Sequence, residues 1–201
     1  MKNLLSVATI SLLCLSQSAQ AGDSGPYLGF GFAATGIMNS SCANAGFFSN
    51  CAGNSPSNGP TSGAPFGLVG GYDFNKHFGL EVGYAQLGTY TVQNSMGTVA
   101  GDYKASATTL AMKAGGTSAS GLSVFGKFGL ASVNTKYTAL PGWTFAGSAN
   151  QRTTGYLAGV GMQYNVNDIV GFRVSLDFIN YSDAVFSVFM RNVSMMAVFR
   201  L

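Results

Sequence analysis

The chain has 201 residues, of which only 8% are charged, and its formal net charge is +3. Ordinary soluble domains contain about 25% charged residues, and the few basic residues here form no stripe of the kind that binds nucleic acid. Beyond the N-terminal segment, no stretch offers the roughly 18 consecutive apolar residues of a membrane-spanning helix, so helical spans are excluded.

The N-terminal segment, residues 1–21, has the three parts of a secretory signal peptide. Lys2 supplies a basic start, Leu4 to Leu15 an apolar run, and Ala19-Gln20-Ala21 a small-residue cleavage site. The apolar run is shorter than the roughly 20 residues that span a membrane. We therefore predict that residues 1–21 are removed and that residues 22–201 form one domain.

Alternation with a period of two, which indicates a strand with one apolar face, recurs along the rest of the chain. It predicts eight strands, at residues 27–36, 65–74, 78–88, 101–115, 121–134, 153–165, 169–180 and 193–201. In the first strand, Leu28 and Phe30 alternate with glycine. The last strand has the clearest pattern, because every odd position from Val193 to Leu201 is apolar.

The connections between these strands alternate in length. The short ones, rich in the turn formers Asn, Asp, Gly and Ser, are residues 75–77, 116–120 and 166–168, and the long ones are residues 37–64, 89–100, 135–152 and 181–189. Short periplasmic turns and long extracellular loops are typical of a bacterial outer-membrane barrel. An interfacial aromatic girdle is expected near the turns, from Tyr72, Phe74, Phe78, Tyr164 and Phe199.

The composition supports the same interpretation. The chain contains 28 glycines and 12% aromatic residues, and a closed sheet satisfies every backbone amide in hydrocarbon. We predict an all-β fold, an eight-stranded antiparallel up-and-down transmembrane β-barrel. The alternative is a soluble eight-stranded barrel, whose outer surface would be polar.

Several segments carry a family resemblance. Residues 70–84 have a Gly-Tyr pair, a short turn around Asn75, an aromatic residue, Glu81 and a second Gly-Tyr pair, which resembles the second hairpin of the OmpA-type transmembrane barrel. Residues 110–113, residues 172–174 and the ending Phe199-Arg200-Leu201 resemble the fourth strand, the seventh strand and the C-terminus of that family. The resemblance implies an OmpA/OmpX-type eight-stranded barrel without the periplasmic peptidoglycan-binding domain. It also implies recognition of the last strand by the barrel-insertion machinery.

Alternation assigns six charged side chains to the inside of the barrel, namely Asp73, Glu81, Lys113, Lys127, Arg173 and Asp177. A barrel of this size has room for side chains but little continuous water, so buried charges there must be paired. We also expect Arg173→Ala to destabilise the barrel more than the loss of a loop charge such as Arg191.

The resemblance suggests a role for three of these residues. In the family, the positions matching Glu81, Lys113 and Arg173 form a lumenal ion-pair cluster that blocks or gates a narrow passage. Where the family often has a second lumenal Glu, this chain has Gln163, so Lys127 needs another partner, for which Asp177 is the candidate. Three interpretations stay open: a plug, a gate for small ions, and a ligand or catalytic site.

The first long loop contains Cys42 and Cys51, the cysteines that remain after signal cleavage. An exported compartment favours a disulfide between them, whereas two cysteines without a nearby histidine make a poor metal site. Phe47 and Phe48 between them either contact another molecule or pack on the loop. In the third long loop, Trp143 is either an interfacial anchor or a recognition residue.

The single histidine, His77, falls in a predicted periplasmic turn, away from the extracellular rim where a barrel hydrolase would need it. We therefore predict a protein of the bacterial outer membrane without enzymatic activity, cofactor or metal. Its role is structural or surface-interacting through the loops, and the expected partners are outer-membrane lipid, lipopolysaccharide and a host or cell-surface protein. The alternative is a narrow, low-conductance pore for ions or small solutes, gated by the lumenal cluster.

Overall fold

The computed structural model describes residues 24–42, 55–57, 60–93, 98–118, 120–140, 149–182 and 186–201. Its strands are β1 (Gly25–Cys42), β2 (Ser55–Pro56), β3 (Phe66–Asp73), β4 (Phe78–Gln93), β5 (Val99–Thr117), β6 (Leu122–Ala139), β7 (Ala149–Asn165), β8 (Val170–Ser182) and β9 (Phe186–Arg200). In this part of the chain, no helix is long and apolar enough to cross a membrane.

Eight of these strands form a closed wall. Each pairs antiparallel with its neighbour in the chain, and β1 pairs with β9 to close the cylinder, while the two-residue β2 only adds to the end of β4. Closure leaves no open edge, so the backbone groups of the wall pair with one another. The predicted eight-stranded up-and-down barrel is confirmed.

Large apolar side chains cover the outside of the half of the wall nearest the short turns. Phe32 is 77% exposed, and Met195 and Phe128 are each 66% exposed. A soluble protein rarely exposes so many large apolar side chains in one continuous surface. Tyr72, Phe74, Phe78 and Tyr164 are exposed beside the turns, where an aromatic girdle is expected, while Phe199 stacks on Phe30 with 5.8 Å between ring centroids. This apolar belt rules out the soluble barrel.

The strands extend further from the turns than the alternation predicted. In β4, a bulge at Leu87 and Gly88 shifts the register, and Gly88 adopts a φ of +97° that favours glycine. Beyond the bulge the inward positions change from odd to even numbers, so that Tyr90 and Val92 are buried. Because the inward positions change there, a single period-two pattern does not extend through the turn-distal part of β4.

The polarity of the wall also inverts in the half distant from the turns. Its outer face carries polar residues that are exposed, among them Thr138, Asp102, Lys104, Asn134, Lys136, Arg152 and Asn180, while its inner face is apolar. Parts of the predicted loops 89–100, 135–152 and 181–189 therefore belong to the wall. Arg191, expected in a loop, lies in β9 opposite Phe178 and is exposed on the outer face.

Close packing of neighbouring strands requires glycine at position 129. A Cβ atom there would lie 2.0 Å from the carbonyl oxygen of Leu110, so Gly129→Ala forces the backbone to move. We expect a loss of about 1–3 kcal/mol in the free energy of unfolding, measured by urea titration in lipid vesicles. Gly126→Ala on the same strand is the control, because the nearest atom to its Cβ is 3.8 Å away; equal losses in both variants would refute the explanation.

Candidate functional site

The candidate site is a network of ion pairs inside the turn-proximal half of the barrel. The structure turns all six predicted charged side chains inward, from β3, β4, β5, β6 and β8. Glycines make room for them, since Gly71 lies opposite Glu81 and Gly159 lies between Lys127 and Asp177 on the neighbouring strands. Three carboxylates face three cations, so the network is electrically neutral when all six are ionised.

Glu81 is the centre of this network. Its Oε2 accepts hydrogen bonds from Arg173 Nη1 at 2.5 Å and from the Tyr27 hydroxyl at 2.9 Å. Its Oε1 accepts from Lys127 Nζ at 3.1 Å. Three donors therefore share one buried carboxylate, which compensates for the hydration that it loses in the lumen.

The pairing of the two lysines differs from the family-based expectation. The structure brings Glu81 and Arg173 together, but Lys113 pairs with Asp73, with 2.6 Å between Nζ and Oδ1. Lys127, rather than Lys113, contacts Glu81, and its Nζ also lies 3.0 Å from Asp177 Oδ2. The six charges thus form one four-membered group and one separate pair.

Arg173 is held on all sides and is only 1% exposed. Its Nε and Nη2 donate to Gln163 Oε1 at 3.0 and 2.8 Å. The guanidinium carbon lies 4.9 Å from the centroid of the Tyr27 ring and 5.0 Å from that of Phe125, which adds cation–π attraction. Sequence reasoning did not single out Tyr27 or Phe125, although both occupy inward positions of the same alternation.

A second, apolar layer fills the lumen on the side distant from the turns. Its members are buried and include Leu87, Tyr90, Tyr103, Val133, Leu157, Ile179, Tyr181, Val188 and Met190. The Tyr90 hydroxyl lies 2.8 Å from Thr35 Oγ1, which donates to the Leu87 carbonyl at 2.6 Å. Tyr103 and Tyr181 bring their hydroxyls within 3.1 Å. Alternation indicated the inward charges, but these inward apolar positions lie beyond the lipid-facing part of the strands, where the apolar face is reversed.

Two small cavities lie beside the ion pairs in the described lumen. One cavity of about 30 Å³ lies at the turn end beside Asp73 and Lys113, and another of about 30 Å³ lies beside Glu81, Lys127 and Asp177. Each is about the size of one water molecule. Side chains of the charged layer and of the apolar layer thus occupy the interior around these two spaces.

Histidine and acidic side chains are the residues that catalysis or metal binding would use. His77 lies in a turn, where its Nδ1 is 3.0 Å from the carbonyl oxygen of Gly115. No group of three or more His, Cys, Asp or Glu side chains among the described residues is arranged to hold a metal ion.

Most of the predicted loop residues lie outside the described part of the chain. This applies to Cys51, Phe47, Phe48 and Trp143, and to the proposed signal segment 1–21. The backbone of Cys42 ends β1 and pairs with Phe186, but its side chain is not described. The disulfide and the loop contacts remain predictions.

A closed wall with an apolar outer belt and a charged, filled interior defines a small transmembrane β-barrel. A family model described as the outer membrane protein beta-barrel domain matches residues 5–196. The chain belongs to this family, which indicates the bacterial outer membrane as its location.

Solved structures share the fold at low sequence identity. OprG from Pseudomonas aeruginosa superimposes with a TM-score of 0.66 at 14% identity, over 90% of this chain and 98% of that one. Neisserial surface protein A gives 0.61 at 15% identity, over 88% and 97% of the two chains. Ail of Yersinia pestis, solved in complex with the heparin analogue sucrose octasulfate, gives 0.55 at 16% identity, over 89% and 99%. No curated protein sequence is a significant match.

Proposed function

We propose that this protein is a non-enzymatic barrel of the outer membrane whose lumen is closed and whose extracellular segments contact other molecules at the cell surface. The filled lumen is the observation that carries the proposal. A charged layer around Glu81 and an apolar layer around Tyr90 occupy the interior in series, so the barrel is suited to hold loops rather than to pass solutes.

The comparison with Ail supports a surface role. That protein was solved with a heparin analogue bound, so this fold is compatible with recognition of an extracellular anionic molecule. For the present chain we propose lipopolysaccharide and a host or cell-surface protein as partners, with Phe47, Phe48 and Trp143 as contact residues. A disulfide between Cys42 and Cys51 would hold the first loop, and β9 would serve as the segment that the insertion machinery recognises.

The lumen makes conductance the direct test. In planar-bilayer recordings of the wild-type barrel, we expect no conductance above the lipid background, because side chains of the charged and apolar layers occupy the described interior and the two cavities beside the ion pairs are water-sized. The folded fraction of Glu81→Ala and a matched control, Lys76→Ala in an exposed turn, are recorded in parallel. Discrete steps in the wild type that are lost or altered in Glu81→Ala alone would instead support the narrow pore gated by the ion pairs.

The loop contribution is tested separately in cells. Replacing residues 43–50 by a Gly-Ser linker of equal length retains both cysteines and leaves β1 intact. If the first loop contacts surface partners, adhesion to host cells falls while the unboiled protein keeps its folded mobility on a gel. Replacement of the turn residues 166–168 is the control at the opposite end of the barrel. Unchanged adhesion would remove the first loop from the proposed function.

A further inference from the structure

Two lysines face each other on the outer surface of the wall beyond the apolar belt. Lys104 of β5 lies directly opposite Lys136 of β6, and both side chains are exposed. Like charges at directly opposed positions of a sheet repel and destabilise it. Among the residues that the structure describes, neither lysine forms an ion pair. The exposed Asp102, two positions from Lys104 on the same face, offsets at most one of the two positive charges. An external anion would remove the repulsion.

A third basic side chain, Arg152, lies next to the two lysines. Arg152 of β7 lies opposite Asn134, one position diagonal to Lys136. Its Nε donates to Ser132 Oγ at 2.8 Å, and Ser132 belongs to the next row nearer the belt. The guanidinium is therefore drawn down toward the lipid. We define the basic patch as Lys104, Lys136 and Arg152.

The height of the basic patch matches the polar layer of a membrane. The last apolar row below it consists of Leu110, Leu130 and Tyr156, which are exposed and lie side by side on β5, β6 and β7. Arg152 is four residues beyond Tyr156, about 13 Å along the strand and about 10 Å in height at the usual tilt of such barrels. Lys104 and Lys136 are six residues beyond Leu110 and Leu130, about 20 Å along the strand and about 15 Å in height. Long basic side chains at that level reach the headgroups above the hydrocarbon.

An apolar groove lies on the adjoining part of the outer wall. It has a volume of about 410 Å³, and its outward-facing lining includes Leu28, Phe30, Leu68, Val82, Tyr84 and Thr108. Gly70 forms its floor, because it pairs with Leu28 on one side and Val82 on the other and has no side chain to fill the row. A Cβ atom at Gly70 would already approach Leu28 Cδ2 to 3.2 Å.

The groove and the basic patch are aligned on one strand. Thr108, at the groove's edge, and Lys104 both face outward from β5, four residues or about 13 Å apart. We propose that this face of the wall binds one phosphorylated lipid of the outer leaflet, with an acyl chain in the groove over Gly70 and a phosphate group on Lys104 and Lys136. The lysine side chains and the sugar or glycerol unit of the headgroup span the distance between the groove and the two lysines. The inference rests on the barrel's membrane location and is independent of the loops and of lumenal conductance.

The experiment uses bis-phosphorylated lipid A as the probe. Wild type, K104Q/K136Q and the turn control K76Q are refolded in phosphatidylcholine vesicles with increasing lipid A, and the temperature at which the unboiled band disappears is recorded. Lipid A is expected to raise this temperature in wild type and K76Q. The double variant should need more lipid A for the same rise, about fivefold more per charge removed. In phosphatidylcholine alone it should be at least as stable as wild type, because the repulsion is gone.

Two further arms separate the sources of the effect. Dephosphorylated lipid A should give a much smaller rise, and inorganic phosphate in the buffer should give none. The groove is tested with G70L and V82F, two variants that fill it from different strands. Each variant that folds is expected to show a smaller rise in melting temperature with lipid A than wild type. An identical lipid A response in wild type and K104Q/K136Q would overturn the proposal. An equal effect of inorganic phosphate, or of dephosphorylated lipid A, would also overturn the proposal. An undiminished response to lipid A in folded G70L and V82F would show that the groove does not hold the acyl chain.

Discussion

Glu81→Ala is expected to lower the free energy of unfolding by about 3–5 kcal/mol, because it removes one side of a buried ion-pair group and leaves the other side unpaired. Arg173 would lose its carboxylate partner and keep the neutral Gln163 as an acceptor, and Lys127 would keep Asp177 as its ion-pair partner. The measurement is urea unfolding of the barrel in lipid vesicles, followed by the loss of the folded band on an unboiled gel.

Two comparisons make this result specific. Arg191→Ala removes an exposed charge of the outer wall and is expected to change the free energy by less than about 1 kcal/mol. In Glu81→Ala/Arg173→Ala the loss should be smaller than the sum of the two single losses, because the removed pair leaves the neutral Lys127–Asp177 pair behind. Additive losses, or a loss for Glu81→Ala no larger than that for Arg191→Ala, would show that the network does not act as a unit.

Tyr90→Ala is expected to cost about 3–5 kcal/mol, the range for removing a large aromatic side chain from a packed core. Tyr90 is 0% exposed in the apolar layer, and its hydroxyl begins the chain of hydrogen bonds through Thr35 to the Leu87 carbonyl. This chain connects β1 with β4 beyond the end of β3, so its loss affects the wall as well as the core. The same urea titration measures the change.

Tyr156→Ala is the matched control, because Tyr156 is 66% exposed on the outer face and its removal leaves no internal cavity. Tyr90→Phe separates the ring from the hydroxyl and is expected to cost about 1 kcal/mol. If Tyr90→Ala and Tyr156→Ala are equally stable, the turn-distal interior is not the packed layer that the structure shows.

Together these expectations describe a barrel that is stabilised by two different interiors. The charged layer lies inside the apolar belt, where the wall faces hydrocarbon, and the apolar layer lies where the outer wall is polar. Each region of the wall therefore carries one apolar and one polar face, but their orientation reverses along the strands. The turn-distal part is built as a water-soluble β-barrel is built.

The partners inside the lumen could not be derived from the sequence. Alternation turned Lys113 and Lys127 inward, and the family resemblance placed Lys113 with Glu81 and Arg173. Which lysine contacts Glu81 depends on the stagger of β4, β5 and β6 around the cylinder. The closed register brings Lys127 to Glu81 and leaves Lys113 with Asp73.

The extent of the strands was also underestimated for a physical reason. A period-two pattern with apolar residues outside describes only the lipid-facing part of the wall. Beyond the bulge at Gly88, the phase changes and the apolar residues turn inward. The exposed Lys136 and Arg152 then resemble loop residues, although both belong to regular strands.

The sequence by itself determined the number of wall strands, the apolar outer belt and the inward position of the six charges, because these follow from a local alternation that each strand carries alone. The tertiary structure alone decided which charges pair, how an apolar layer packs in the turn-distal interior, and which surface residues lie side by side. Those features join residues of different strands, and only the register of the closed sheet fixes their relative heights.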